Sequence, residues 1–365
     1  MTSVTAACDP DRSFGKSAMR VWLGLCGQAY RPNGERRLLR LRIAITGSSG
    51  YLAQQLIKRL GSDSDVDLIL GLDIMPRLSE VNCPASFLQF DLTAPSEELS
   101  AHFRSHQVNT ALHLAWQFNP IHDLRRHRQV DVEGSQNFFR AAEAAGVRRV
   151  IHASSATAYV NPANPSQPPF LAEESPVSGT PLYLYSKHKA EVDRIAQEFM
   201  ARHPEIEVMI LRPSIVLGPN TRNIVAEMLE WPWRSFPWMF QVAGADPPMQ
   251  FVSEDDMAEV LYQALKSDLR GIFNVAGDGT IRYSDMVRAV GKKPLALPAP
   301  LIYPLAAILW ALRFAPFPAG MLDMIRYPWV ADNTRLKQVF GYVPRLDSMQ
   351  ALHSFIAARS LSPSS

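Results

Sequence analysis

The stretch Leu41–Ala53, LRIAITGSSGYLA, limits what this chain can fold into more than any other part of it. Its first half is a short apolar run (Leu41, Ile43, Ala44, Ile45) of the length expected for a strand buried on both faces. The run breaks at Thr46-Gly47, and from Tyr51 onward Leu52, Leu56, Ile57 and Leu60 recur with helical spacing. A strand, a glycine turn and a helix in that order set backbone N–H groups and a positive helix end around one point, which suits an anion such as a pyrophosphate. Gly47 permits the tight turn, Gly50 lets the backbone approach a phosphate, and Ala53 is small enough for close helix–strand packing.

The chain has 365 residues, 47% hydrophobic and 20% charged, enough for one large α/β domain with a smaller lobe. A net charge of +2 argues for no nucleic-acid partner. Cys8, Cys26 and Cys83 are scattered, which fits neither a disulfide framework nor a zinc site, so a reducing cytoplasm is expected. Residues 1–40 differ from the rest, with seven basic side chains against three acidic ones, and are expected to form a loosely ordered extension. Phe14-Gly15-Lys16-Ser17 mimics the end of a phosphate-binding loop, but Pro10 stands where the first glycine belongs, and the match is a coincidence.

Further apolar runs follow at Val66–Gly71, Phe87–Phe90, Thr110–Ala115, Arg148–Ala153 and Glu207–Leu211, with helical periodicity over Asp131–Ala145 and Tyr185–Arg202 between them. Strands alternating with helices predict a doubly wound parallel sheet. Asp73 closes the second strand, where a carboxylate accepts both ribose hydroxyls of a dinucleotide and repels a 2′-phosphate. It favours NAD, while Arg77 keeps NADP open. Beyond Ile215 the texture changes. Glu230–Phe240 (EWPWRSFPWMF) reads as an apolar loop packed under a small lobe, or as a lid over an apolar ligand. Pro294–Leu312 carries no charge and is expected to supply a buried helix, its Pro-free part being too short to span a bilayer.

Ser154-Ser155 at a strand end and Tyr185…Lys189 at the start of the long helix form a chemical constellation. Tyr and Lys four apart share a helical face, and a nearby ammonium favours the phenolate. Tyr185 is therefore a candidate acid/base for a carbinol–carbonyl pair, with a Ser hydroxyl holding the same oxygen. Tyr183 and Lys187 have the same spacing, but Val192, Ile195, Ala196 and Phe199 form one apolar stripe with Lys189, which favours the later register. No metal is expected, because His102, His106, His113, His122 and His127 show no ligand spacing.

Taken together, Thr46-Gly-Ser-Ser-Gly50-Tyr-Leu-Ala53, Asp73, Asp91-Leu92, His113-Leu-Ala115, Ser154-Ser155, Tyr185…Lys189, Leu211-Arg-Pro213, Phe251–Ala258 and Phe273–Gly277 resemble the extended short-chain dehydrogenase/reductase family, the NAD-dependent epimerase/dehydratase group, over residues 41–358. The resemblance implies a Rossmann NAD(P)-binding domain over 41–215, rejoined by 250–277, and a smaller C-terminal substrate lobe from 216–249 and 278–360. It implies Ser155, Tyr185 and Lys189 as catalytic residues. Cofactor contacts would come from Gly47, Ser49, Gly50, Tyr51, Leu52, Asp73, Asp91, Leu92, Leu114, Ala115 and Pro213, together with Tyr185 and Lys189. A small-molecule substrate is expected, and dimers are frequent in the family.

Several positions depart from that pattern. Asp131 stands where Asn is usual and Val160 where Gly is usual. Met249-Gln250-Phe251-Val252 lacks the Arg-Asp of many nucleotide-sugar enzymes, whose Arg sits on the substrate diphosphate. Arg222, Arg234 and Arg282 are candidate replacements, whereas the apolar C-terminal segments lean toward a more apolar carbinol or carbonyl. The rival readings are a non-catalytic dinucleotide-binding sensor or complex subunit, and an enzyme that associates weakly with a membrane through Leu295–Leu312 or the Trp-rich loop.

Overall fold

Leu41–Thr46 forms β1, an interior strand of the central sheet, and Ile43, Ala44 and Ile45 within it are wholly buried. The structure is a computed structural model describing residues 40–75, 85–161, 164, 170–222, 225, 227 and 237–360. The basic N-terminal stretch before residue 40, Arg77, Cys83 and the Trp-rich segment 230–236 lie outside the described residues.

After β1 come α1 (Tyr51–Leu60), β2 (Val66–Asp73), β3 (Ala85–Gln89), α2 (Ser96–Ser105) and β4 (Thr110–His113). A helical run follows in three pieces: α3 (Leu124–Arg128), a π-turn over Gln129–Glu133, and α4 (Gly134–Ala144). Next are β5 (Arg149–Ala153), the short β6 (Phe170–Leu171), the long α5 (Leu184–Arg202), β7 (Glu207–Pro213) and β8 (Ile215–Leu217). The chain continues through β9 (Trp238–Val242), β10 (Pro248–Met249), β11 (Phe251–Ser253), α6 (Glu254–Lys266) and β12 (Gly271–Val275). It ends with β13 (Ile281–Arg282), α7 (Tyr283–Ala289), β14 (Lys293–Leu297), α8 (Ala299–Ala311), β15 (Val330–Ala331) and α9 (Ser348–Ser360).

Seven strands form one parallel sheet in the order β12-β7-β5-β4-β1-β2-β3. This is the doubly wound α/β architecture that the alternating pattern predicts, with the strand order reversing beside β1. Apolar clusters cover both faces. One joins β1 to α1 and α6 through Leu56, Ile57, Val260 and Leu261. The other packs Phe103, Phe138, Val192, Ala196 and Phe199 against β4, β5 and β7. A third cluster gathers Met249, Tyr283, Met286, Met321, Met324 and Trp329 beyond the strand ends, and Tyr185 packs against it.

The uncharged segment before Leu312 behaves differently from expectation. Lys293–Leu297 is a strand paired with β9, and only Ile302 and Ala306 of α8 are buried. Leu301, Ile308 and Leu312 are 55%, 56% and 60% exposed, with Leu305 between them at 38%. Positions i, i+4, i+7 and i+11 form a single stripe on a helix, so the absence of charge marks an apolar outer face and not a buried helix. No helix among the described residues is long and apolar enough to cross a membrane.

Candidate active site

Gly47 turns the chain out of β1 with φ +72°, and a Cβ there would sit 2.6 Å from the backbone N of Ala115. No other residue fits that conformation and that gap. Gly50 then opens α1 without a capping side chain, leaving the first-turn N–H groups directed at an incoming anion. Asp73 stands beside the turn, accepting from the backbone N–H of Ser49 and of Met75, each at 3.0 Å. The carboxylate keeps lone pairs for a diol. Asp91 holds Arg126 at 2.5 Å, and Leu92 is buried next to it.

A cavity of about 200 Å³ runs from this turn across the strand ends. Gly47, Gly50, Tyr51, Leu52, Leu114 and Pro213 line it, together with Ser155, Tyr185 and Lys189. Ser49, Asp73, Asp91, Leu92 and Ala115 are not part of the wall. Ser155 leaves β5 in extended conformation and caps the short turn Ala156–Tyr159, accepting from the N–H of Thr157 at 3.1 Å and its hydroxyl at 2.9 Å. Tyr185 lies in the first turn of α5, on the same cavity wall as Ser155. Lys189, one turn on, donates to the Ala153 carbonyl at 2.8 Å and stands 3.6 Å from the centre of the Trp116 ring. Lys187, of the alternative register, is exposed, and Tyr183 precedes the helix.

The sequence profile of the NAD dependent epimerase/dehydratase family matches residues 43–276. The chain belongs to this family. An uncharacterized Mycobacterium bovis protein is 24% identical over 327 residues, covering 88% of this chain and 85% of that one. A UDP-glucose 4-epimerase of Vibrio cholerae is 23% identical over 327 residues, with 85% and 93% coverage. The Thermus thermophilus UDP-glucose 4-epimerase structure, a complex with NAD, superposes with a TM-score of 0.65 at 20% identity, covering 88% of this chain and 100% of its own.

Lys189 does not acidify Tyr185, contrary to the expectation from their spacing. Burial pushes the phenol above its ordinary value, with Asp131 adding to the rise and only the nearby Ser155 hydroxyl opposing it. Burial also lowers the Lys189 ammonium to about 7, against the pull of Asp131 and Asp193. The lysine is directed at a backbone carbonyl and an indole face, and low dielectric outweighs proximity at both groups.

Two buried networks escape a reading by sequence spacing. Asp131 is fully buried and accepts from His188 Nδ1 at 3.0 Å and His127 Nε2 at 3.2 Å. Burial pushes its carboxyl up, but the hydrogen bonds from both histidines outweigh this and hold it below the usual range. The i,i+4 spacing of His127 and Asp131 is the missed signal, so His127 is not the isolated histidine that the sequence suggests. The three donor atoms lie within 4.8 Å of one another and could hold an ion; as placed, the imidazoles satisfy the carboxylate. Behind Ser154, Arg212 and Asp193 form a fully buried bidentate pair at 2.8 and 2.7 Å. Asp193 also accepts from the Ser154 hydroxyl at 2.6 Å, which ties α5 to the end of β5.

Proposed function

We propose that this chain is an NAD-dependent oxidoreductase or epimerase working at a carbinol or carbonyl carbon, with Ser155, Tyr185 and Lys189 as its catalytic residues. The observation that carries this reading is that Ser155, Tyr185 and Lys189 share the wall of one cavity that begins at the Gly47 turn. The tight gap at Gly47, the uncapped start of α1 and the Asp73 carboxylate fit NAD. When bound, NAD supplies a hydride acceptor for an alcohol or, in reduced form, a donor for a carbonyl. Ser155 holds the substrate oxygen. Tyr185, kept protonated by burial, is ready to give its proton to a carbonyl oxygen and to take it back in the reverse direction. Lys189, held at the Ala153 carbonyl, would bind the nicotinamide ribose.

The test is Tyr185→Phe, assayed by NADH absorbance against secondary alcohols, ketones and UDP-sugars. Turnover should fall by at least ~10²-fold, the scale of a lost general acid/base, while NAD affinity stays near wild type. An unchanged rate removes the proposed acid/base and favours a non-catalytic dinucleotide-binding role.

The Leu301–Leu312 stripe supports weak association with a membrane surface. Sedimentation with anionic liposomes tests this; concentration-dependent dimerisation without liposome binding assigns the stripe to a homodimer.

A further inference from the structure

Beyond Tyr185 the cavity changes character. Its far wall is made of Met249, Met286, Met321, Met324, Ile325 and Trp329, drawn from four separate parts of the chain. Thioethers and hydrocarbon give this wall almost no electrostatic preference, and they adapt to irregular apolar shapes. Among the described residues, Lys189 is the one charged member of the wall, and it is committed to the Ala153 carbonyl and the Trp116 ring.

The polar atoms carried by this wall are largely spent on the protein itself. Trp329 Nε1 donates to the Met324 carbonyl at 2.9 Å, and the Tyr283 hydroxyl donates to the Phe240 carbonyl at 2.7 Å. Next to Met249, Gln250 faces away into the backbone. It donates to the Ala331 carbonyl at 3.0 Å and accepts from the Ala331 N–H at 2.9 Å, riveting β15 in place. Arg282, a candidate phosphate-binding cation by sequence, is exposed and donates to the Asp246 carbonyl at 2.9 Å; Arg234 lies outside the described residues. The remaining buried polar atom of the wall without a partner is Ser214 Oγ. One neutral hydrogen-bonding group satisfies it, whereas a doubly charged diphosphate needs several donors or cations to leave water.

Resting on the oxidoreductase reading above, we infer that the substrate is an uncharged, phosphate-free secondary alcohol or ketone of mainly hydrocarbon character. Its reacting oxygen meets Ser155 and Tyr185, and its carbon skeleton lies against the methionine wall.

The experiment titrates NAD-loaded full-length protein, wild type and Tyr185→Phe, with cyclododecanone, a tetracyclic ketone, UDP-glucose and UDP, following tryptophan fluorescence. The expected result is saturable binding of at least one hydrocarbon ketone to both proteins and none of UDP-glucose or UDP. Met249→Arg, with NAD binding retained as the check on folding, should weaken ketone binding by ~10-fold or more, since a buried cation must then be desolvated. Met321→Ala, which adds no charge, should also weaken it. Saturable binding of UDP-glucose, or no ketone binding to wild type, overturns the inference. The two readings fail separately. Ketone binding without NAD-linked turnover removes the catalytic reading and leaves the substrate class standing. Turnover of UDP-glucose does the reverse.

Discussion

His188 sets its Nδ1 3.0 Å from the carboxylate of Asp131, one residue before Lys189 on the helix that presents Tyr185. A buried negative charge is thereby fixed near Lys189 and Tyr185, where it raises the proton affinity of both the lysine and the phenol. Asp131→Asn keeps the shape and removes the charge. Lys189 should then lose its proton below its present value of about 7, and the alkaline limb of the pH–rate profile should move to lower pH. A profile superposable on wild type would show that the charge does not reach the site.

The same carboxylate makes stability depend on acid. Its folded-state pKa lies below the usual range, so its contribution is complete above the unfolded value of ~4 and is lost as pH falls through the folded value. Denaturant midpoints of wild type should drop more steeply below about pH 4 than those of Asp131→Asn.

Lys189 gives the same direction of pH dependence in a higher window. Its folded-state pKa of about 7 lies under the ordinary lysine value. Between about 7 and ~10.4 the unfolded chain therefore binds the extra proton, and stability rises with pH. Urea midpoints of cofactor-free wild type, compared with Lys189→Met, should improve from pH 7 to pH 9.5, and a flat difference would contradict the buried ammonium.

Gly47 and Gly146 separate two penalties. Both have positive φ, +72° and +68°, but a Cβ at Gly146 meets nothing within 4 Å while one at Gly47 strikes the Ala115 backbone. Gly146→Ala should cost about 1–2 kcal/mol from the left-handed conformation alone. Gly47→Ala should cost more by urea unfolding and should also weaken NAD binding.

The Arg212–Asp193 pair provides a test of buried charge. Asp193→Ala strands a guanidinium that is wholly out of solvent and should cost ~3–5 kcal/mol, whereas replacing both with apolar residues of similar volume should cost much less. Equal losses in the two variants would mean that packing, and not charge, is what matters there.

What the sequence reveals here follows from the range of each signal. The β1 turn, the alternating strands and the Val192–Ala196–Phe199 stripe are local periodicities, and they set the sheet and its helices. The methionine wall has no such period, since Met249, Met286 and Met324 meet only through tertiary folding. His188 and His127 lie on different helices, and a π-turn at Gln129–Glu133 sets Asp131 between them. In α8 the lack of charge suggested burial, although hydropathy alone does not say which side of a helix faces solvent.

The pairing of β12 with β7 has a bearing on how the chain is made. Met209–Pro213 gains its neighbour Gly271–Val275 only after the intervening segment has been synthesised. A nascent or truncated chain ending before residue 271 presents Val208–Leu211 as a bare apolar strand edge. Such an edge invites pairing with other chains, so fragments ending there should collect in inclusion bodies, whereas chains extending past Val275 keep that edge covered.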